Sequence, residues 1–429
     1  MKKISSFTGK LIFIGVIVAI LMIANLIIGL KLDDREMTRD SAVCDIVEAA
    51  GGKFKISEIA IVVPYVHYVT KENSKGNKYV EAENGQTKIY ADNLNYDVSV
   101  ETEERKVGIY SAPVFTSVIN MSGDFYCNLV NNSEYRYKFD KAKFCIWLKD
   151  KSLVEIPVLL LNGKEHDVSI GGLEEQSVRM SLLNINSGFV CQSGMNSFSG
   201  VLKIRGAKRF AIGLCSRQTR VDFSSDWKSP GFKNSNYLPV AHNINDDGFS
   251  AQWFVPFDGG NCSNEIVVDF VQPVDVYHIV HRAITYGFLF IIVPFIIFFL
   301  FEILMNVSFH PVHYFLCGAA NIVFFLLLLS FSEHVPFALS YLISAVASGG
   351  ITSLYVASVT GKVKVGIEMS AVFAMMYSYL FISLKSEDYA LLVGSLFIFM
   401  IIAVLMFVTR KVDWNNIKIT DLKNLKKIE

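Results

Sequence analysis

The sequence predicts a membrane protein: a bundle of six transmembrane helices, one N-terminal and five C-terminal, with a large β-rich, sandwich-like extracytoplasmic domain inserted between helices 1 and 2. Three observations predict it. Apolar stretches at residues 11–30, 283–304, 313–331, 335–359, 367–384 and 389–409 each approach the roughly 20 residues that a helix needs to cross a bilayer. Between the first and second stretches the pattern changes to short alternating runs of apolar and polar residues. Lysines and arginines gather at one set of loop ends, which fixes an orientation.

The N-terminal residues 1–10 carry Lys2, Lys3 and Lys10 ahead of the first apolar run, as a signal peptide would. That run is too long for a signal-peptide core, and Lys31-Leu32-Asp33-Asp34-Arg35 offers no small-x-small cleavage site, so residues 11–30 are expected to stay as an anchor. With residues 1–10 cytoplasmic, six crossings leave Lys362 and Lys364 in a cytoplasmic loop, and the basic tail, residues 410–429, in the cytoplasm as well. Both termini are then cytoplasmic and residues 31–282 lie outside. Net charge is zero and no basic stretch is interleaved with aromatics, so nothing points to nucleic acid. The apolar share of 52% averages a hydrophobic third with a polar remainder.

Residues 31–282 read as β-rich. Alternation with β-branched and aromatic residues recurs at 56–63, 107–118, 135–147, 202–214, 219–223 and 265–271. Turn signals stand at Asn84-Gly85, Asn162-Gly163, Asn186-Ser187-Gly188 and Asp258-Gly259-Gly260. Helix is expected just after the first span, where Val43, Ile46, Val47 and Ala50 share a face and Gly51-Gly52 supplies a stop. An antiparallel sandwich or two smaller β units divided near residues 149–152 fits this spacing. Gly108 reads as a bulge, and Trp227, Phe232, Phe249 and Trp253 read as core aromatics. The five later spans occupy residues 283–409, with formal charges near predicted ends, as at Glu302, Lys362, Lys364 and Lys385.

Several segments carry a family resemblance. HPVHYFLCG, LLLLSFSEHVPFALSYLISA and EDYALLVGSLFIFMIIAVLMFVTRKVDW follow one another in the late spans. In the external segment come Arg105 to Tyr110, Gly123-Asp124-Phe125, Asp226 to Phe232, Leu238-Pro239 and Gly248 to Trp253. In this content and order the chain resembles the CreD family of bacterial inner-membrane proteins, called cell envelope integrity proteins. The resemblance covers most of the chain. It implies a multi-pass inner-membrane protein, with residues 31–282 periplasmic, linked to envelope integrity and tolerance of envelope-active agents, and it implies no particular reaction.

Ionisable groups at membrane depth are functional candidates by default. Glu302, His310 and His313 are expected to converge near the cytoplasmic face, where a metal or proton-relay role competes with the favoured reading of an interfacial cap with histidines among headgroups. Glu333 and His334, with Lys385, Glu387 and Asp388, form a possible external cluster, either a wet charged turn or a docking point. Ser340, Ser344 and Ser348 at four-residue spacing, with Gly349, read as helix packing. No Gly-x-Ser-x-Gly elbow, Ser-x-x-Lys, phosphate-cradling loop or His-Glu-x-x-His motif occurs, so no metal or cofactor is expected.

Six cysteines precede the late spans, compatible with up to three disulfides; the economical pairs are Cys127 with Cys145, which flank an expected hairpin turn near Asn131-Asn132-Ser133, and Cys191 with Cys215, which flank another pair of strands. Three function classes remain. The leading one is a non-enzymatic envelope protein whose β domain scaffolds or senses. A transporter or lipid-handling protein would draw on Asn321, Pro294 and the serines. A membrane-embedded enzyme would use Glu302, His310 and His313. Membrane lipids and a periplasmic or envelope partner are the expected contacts; oligomeric state is open.

Overall fold

The computed structural model describes residues 6–72, 77–149, 153–175, 178–185, 194–256, 262, 264–272, 276–305, 309–385 and 389–410. The chain divides into two compact units, Met1–Thr38 with Val274–Glu429, and Arg39–Pro273.

One helix, α1 (Ser6–Ala49), runs from the first unit into the second. The helix expected just after the first apolar run is continuous with it, because nothing from Lys31 to Ala49 breaks a helix. Its stop is the expected glycine pair. Gly51 and Gly52 both take positive φ, at 99° and 83°. The Gly52 N–H donates to the Val47 carbonyl at 2.7 Å and Gly51 to Glu48 at 3.2 Å, a Schellman closure that glycine makes without strain. Val43, Ile46, Val47 and Ala50 are buried on one face against Ala112, Val114 and Ala207.

The β unit contains, in order, β1 (Phe54–Glu72), β2 (Lys78–Tyr90), β3 (Asn93–Val107), β4 (Tyr110–Cys127), β5 (Tyr135–Tyr137), β6 (Lys143–Lys149), β7 (Val158–Leu161), β8 (Lys164–His166) and β9 (Val168–Glu175). There follow β10 (Val178–Ile185), β11 (Gly194–Ala207), β12 (Arg209–Gly213), β13 (Gln218–Ser225), β14 (Pro230–Gly231), β15 (Ala241–Asn245), β16 (Gly248–Pro256) and β17 (Glu265–Phe270). They build two sheets. One has the order β14-β17-β12-β1-β6-β10-β9, with β2 and β5 also paired to β1; the other has the order β15-β16-β13-β3-β4-β11-β7-β8. Two pairs, β1 with β12 and β13 with β3, are parallel, so the sandwich is mixed rather than antiparallel throughout.

A single core lies between the sheets, with Phe54, Phe144 and Phe210 from the first meeting Phe115, Phe125, Phe198 and Trp253 from the second. The expected division near residues 149–152 is thus not a domain boundary: β6 precedes it in one sheet and β7 follows it in the other. Asn162-Gly163 makes the tight turn it predicts, both residues having positive φ between paired Leu161 and Lys164. Gly108 is a hairpin turn rather than a bulge, since Val107 pairs directly with Tyr110. Asn84-Gly85 is no turn at all. Gly85 faces Tyr65 inside the long β1–β2 ladder, and the Tyr65 ring occupies the place where a side chain on residue 85 would stand. The turns expected at residues 186–188 and 258–260 lie outside the described residues.

The other unit holds α2 (Val276–Thr285), α3 (Gly287–Met305), α4 (Pro311–Ser332), α5 (Phe337–Thr360), α6 (Val363–Lys385) and α7 (Ala390–Thr409) with the first part of α1. Among the described residues five helices are long and apolar enough to cross a membrane, α2 and α3 together counting as one (Val276–Leu300), and α7 adds a shorter apolar stretch, Leu392–Phe407. The expected span at 283–304 is in fact broken near Tyr286 into α2 and α3. Asn25 of α1 sits at this break, its amide donating to the Ile284 carbonyl at 3.1 Å. A side chain at Gly287 would displace it.

Candidate functional site

Polar side chains inside the helical unit are where function is expected, and each has a traceable origin. Pro294 lies within α3 and has no N–H for the carbonyl four residues earlier, that of Phe290. Asn321 of α4 supplies the missing donor: its amide nitrogen bonds the Phe290 carbonyl at 3.0 Å, with the residue fully buried. Two of the features that the sequence offers to a transport site, Pro294 and Asn321, thus satisfy one another, although the Asn321 Oδ1 has no partner among the described residues.

Glu302, near the end of α3, is buried and does not meet the two histidines. Lys10 of α1 forms an ion pair with its Oε1, and the Tyr314 hydroxyl donates to its Oε2 at 3.1 Å. The same ammonium donates to the Phe309 carbonyl at 2.8 Å. His310 caps α4, its ring nitrogen accepting from the Val312 N–H at 3.4 Å. His313 shares a 2.7 Å hydrogen bond with the Tyr355 hydroxyl of α5. The ring centroids of His310 and His313 are 6.4 Å apart. What gathers here is a Lys–Glu–Tyr triad beside a separate His–Tyr pair.

The Glu333 end is built similarly. Tyr277 of α2 donates to the Glu333 Oε1 at 3.2 Å, and Arg35 of α1 approaches the same oxygen at 4.0 Å. His334 is exposed, while Glu387 and Asp388 lie outside the described residues. The serine row divides by role. Ser344 bonds back to the Ser340 carbonyl of its own helix at 2.8 Å, and Ser340 to Val335 at 3.1 Å. Ser348 reaches across to the Ala320 carbonyl at 2.8 Å and receives the Tyr377 hydroxyl at 3.2 Å. Gly349 lies against Tyr377 and Phe373 of α6, where a Cβ would stand 3.3 Å from the tyrosine ring. Between α5 and α6 runs an apolar groove of about 740 Å³, lined by Tyr341, Ala345, Gly349, Phe373 and Tyr377 among others.

In the β unit, Phe232 packs edge-on to Phe249 and Trp253, with ring centroids 6.0 and 5.6 Å away. The Trp253 indole N–H donates to the Tyr237 carbonyl at 3.1 Å, a core role. Cys127 and Cys145 are both buried and free, and they lie in separate cores, which corrects the expected bridge. The turn at Asn131-Asn132 does form, with Asn132 Oδ1 accepting from the N–H groups of Glu134 and Tyr135. It carries the chain from one sheet to the other rather than closing a hairpin. Cys127 consequently faces the core between the sheets, while Cys145 packs with Ala60 and Trp147 on the opposite face of its sheet. Burial raises the Cys145 thiol to about 11. Cys191 lies outside the described residues, so its pairing with Cys215 does too.

Two features escaped sequence reading. A polar cleft of about 390 Å³ is lined by Asp97, Asp222, His242, Asn243 and Gln252, drawn from strands far apart in sequence. Cys215 also finds a different neighbour, Cys262, close to Glu58.

A family model described as "Inner membrane protein CreD" matches residues 6–415. Inner membrane protein CreD of Escherichia coli (strain K12) is 23% identical over 443 residues, taking in 99% of this chain and 96% of that relative. Among solved structures, an M1 zinc metallopeptidase from Deinococcus radiodurans aligns at a TM-score of 0.19 and 8% identity, over 42% of this chain and 41% of that one. Native yeast LTA4 hydrolase aligns at 0.22 and 9% identity, over 43% of this chain and 30% of the other. Structural likeness this slight carries no argument about fold or chemistry.

Proposed function

The chain belongs to the CreD family of inner membrane proteins, and from that premise we propose that it supports cell envelope integrity and tolerance of envelope-active agents without catalysing a reaction. In this reading the β unit stands outside the membrane as a scaffold or sensor, and the helices are its multi-pass anchor. The observation that carries it is how the polar groups inside the helical unit are used. Glu302 is held by Lys10 and Tyr314, the Asn321 amide by the carbonyl that Pro294 leaves free, and Ser348 by Ala320 and Tyr377. These groups lock helix to helix. A working membrane enzyme or transport path needs several of them aimed at a shared cavity.

One observation favours a second reading, lipid handling: the groove between α5 and α6 has the volume and apolar lining to take an acyl chain. A single experiment separates the two. The gene is deleted, and sensitivity to detergents, β-lactams and colicins is profiled beside membrane-lipid and peptidoglycan composition. Altered tolerance with unchanged composition is expected. Changed lipid composition, restored by the parent protein and not by Ala345→Phe, which fills the groove, would transfer the case to lipid handling. Unchanged tolerance and composition would sink both.

A further inference from the structure

The β unit holds a cluster that the proposed role leaves unused. Glu58, Cys215 and Cys262 bring a carboxylate oxygen and the Sγ atoms of two free thiols within 4.8 Å of one another. Backbone pairing puts them there. β12 runs antiparallel to β17 with Gly213 opposite Glu265, and the Leu214 N–H extends that pairing by donating to the Asn264 carbonyl at 3.0 Å. Cys215 and Cys262 thus lie beyond the same end of this two-stranded ribbon, one past each strand. On its other side β12 runs parallel to β1, and Gly213 lies so close to the Ser57 carbonyl that no Cβ fits between them. That approach lets the Cys215 thiol donate to the Ser57 carbonyl at 3.8 Å. The register of β1 against β6 shifts between Ile56 and Glu58, a local irregularity of the kind that re-aims a side chain.

We propose that Cys215 and Cys262 close into a disulfide that pins Cys262 to the end of β12. The proposal rests on the external placement of the β unit, because an oxidising compartment must sustain the bond. Closure uses a disulfide donor, either protein-borne or a small molecule. Cys262, the more exposed of the two, enters first: its thiolate attacks one donor sulfur, the donor S–S bond breaks, and half of the donor leaves as a thiolate. Cys215 then attacks the Cys262 sulfur of the mixed disulfide and expels the second half. The two thiol protons end on the two departing sulfurs, and the donor is reduced to two thiols as the cysteine pair is oxidised.

Cys215 is only 8% exposed, and burial, then a hydrogen bond with the Cys262 thiol and the nearby Glu58 charge, pushes its thiol well above the usual range. Such a thiol suits the second, intramolecular displacement, where proximity replaces acidity. Glu58 lies beside the two thiols, and Lys88 holds its carboxylate at 2.5 Å. Two thiolates and a carboxylate are also zinc donors. Only three such donors gather among the described residues, however, and the Lys88 ammonium already neutralises Glu58, so the bridge is the better account of the thiols.

The test uses the full-length protein extracted from its membrane, denatured without reductant, alkylated and mapped by mass spectrometry, with metal content measured in parallel. The expected result is a linked pair of peptides containing Cys215 and Cys262, alkylated only after reduction, while Cys127 and Cys145 alkylate throughout. Either Cys215→Ser or Cys262→Ser should expose the remaining thiol. Both thiols alkylated without reductant would overturn the bridge, and so would one equivalent of zinc lost in Cys215→Ser. Placement is checked separately with Val80→Cys, at an exposed position on β2, and a membrane-impermeant maleimide on intact cells. Labelling together with free Cys215 and Cys262 removes the bridge and leaves the functional reading standing. No labelling removes the external placement, and the bridge with it.

Discussion

A buried charge is stable only while its partner is present, and the Lys10–Glu302 pair is the sharpest instance in the helical unit. Their side chains are 14% and 4% exposed, so neither can turn to water when the other is lost. Removing one member of such a pair costs about 3–5 kcal/mol, mostly from the charge left behind. Lys10→Met is therefore expected to lower stability in detergent by about that much, read from thermal denaturation. Glu302→Gln should be milder, because Lys10 keeps the Phe309 carbonyl and Tyr314 keeps an acceptor. The double variant should recover most of the loss of Lys10→Met. A Lys10→Met protein as stable as the parent would show that the pair is not formed. Sequence reading found Glu302, His310 and His313 because they are near neighbours in the chain. It missed Lys10, which lies 292 residues from Glu302, because nothing local in either segment encodes the pairing.

Elements whose residues alternate against one face were legible, as β13 and β17 show: each alternates or runs buried against the common core. Elements defined by what a neighbour supplies were not. The stretch containing α2 and α3 is apolar across its break, and the sign of the break is Asn25, which belongs to another helix. Asn84-Gly85 has the composition of a turn, but Tyr65 across the ladder uses the glycine as space for its ring. The same logic makes α3 testable. Pro294→Ala restores the N–H that the Phe290 carbonyl lacks, so the Asn321 amide becomes redundant. Asn321→Leu alone should destabilise the helices by about 1 kcal/mol, the usual worth of an interhelical hydrogen bond in a membrane. In the Pro294→Ala background the same substitution should cost less. Equal costs in both backgrounds would mean that Asn321 serves something other than the proline gap.

At the scale of the molecule, the β unit is an insertion: the chain enters it through α1 and leaves it before α2. Its size and β character were readable from residues 31–282, but its single core was not, because connections that change sheets look the same in sequence as linkers between domains. The helical unit adds a consistency that loop charges alone do not provide. If the spans alternate, Lys10 and Glu302 must share one membrane face and Arg35 and Glu333 the other. Both pairs are in fact within ion-pair distance, with 25 residues of helix, about 38 Å, between Lys10 and Arg35 on α1. Alternation fixes the relative order of the spans, and the basic residues choose its sign. Lys2, Lys3 and Lys10 before the first span, Lys362 just before α6 and Lys364 in its first turn, and Arg410, Lys411, Lys418, Lys423, Lys426 and Lys427 after α7 all fall on one side when six crossings are counted. Positive residues are retained on the cytoplasmic side, so both termini should lie there. A reporter active only outside the inner membrane, fused after Glu429, is expected to be silent, and the same reporter placed at the exposed Asn162-Gly163 turn should be active. Activity at both positions would mean that α7 does not cross, leaving five spans and a displaced tail, whereas activity at Glu429 alone would invert the whole arrangement.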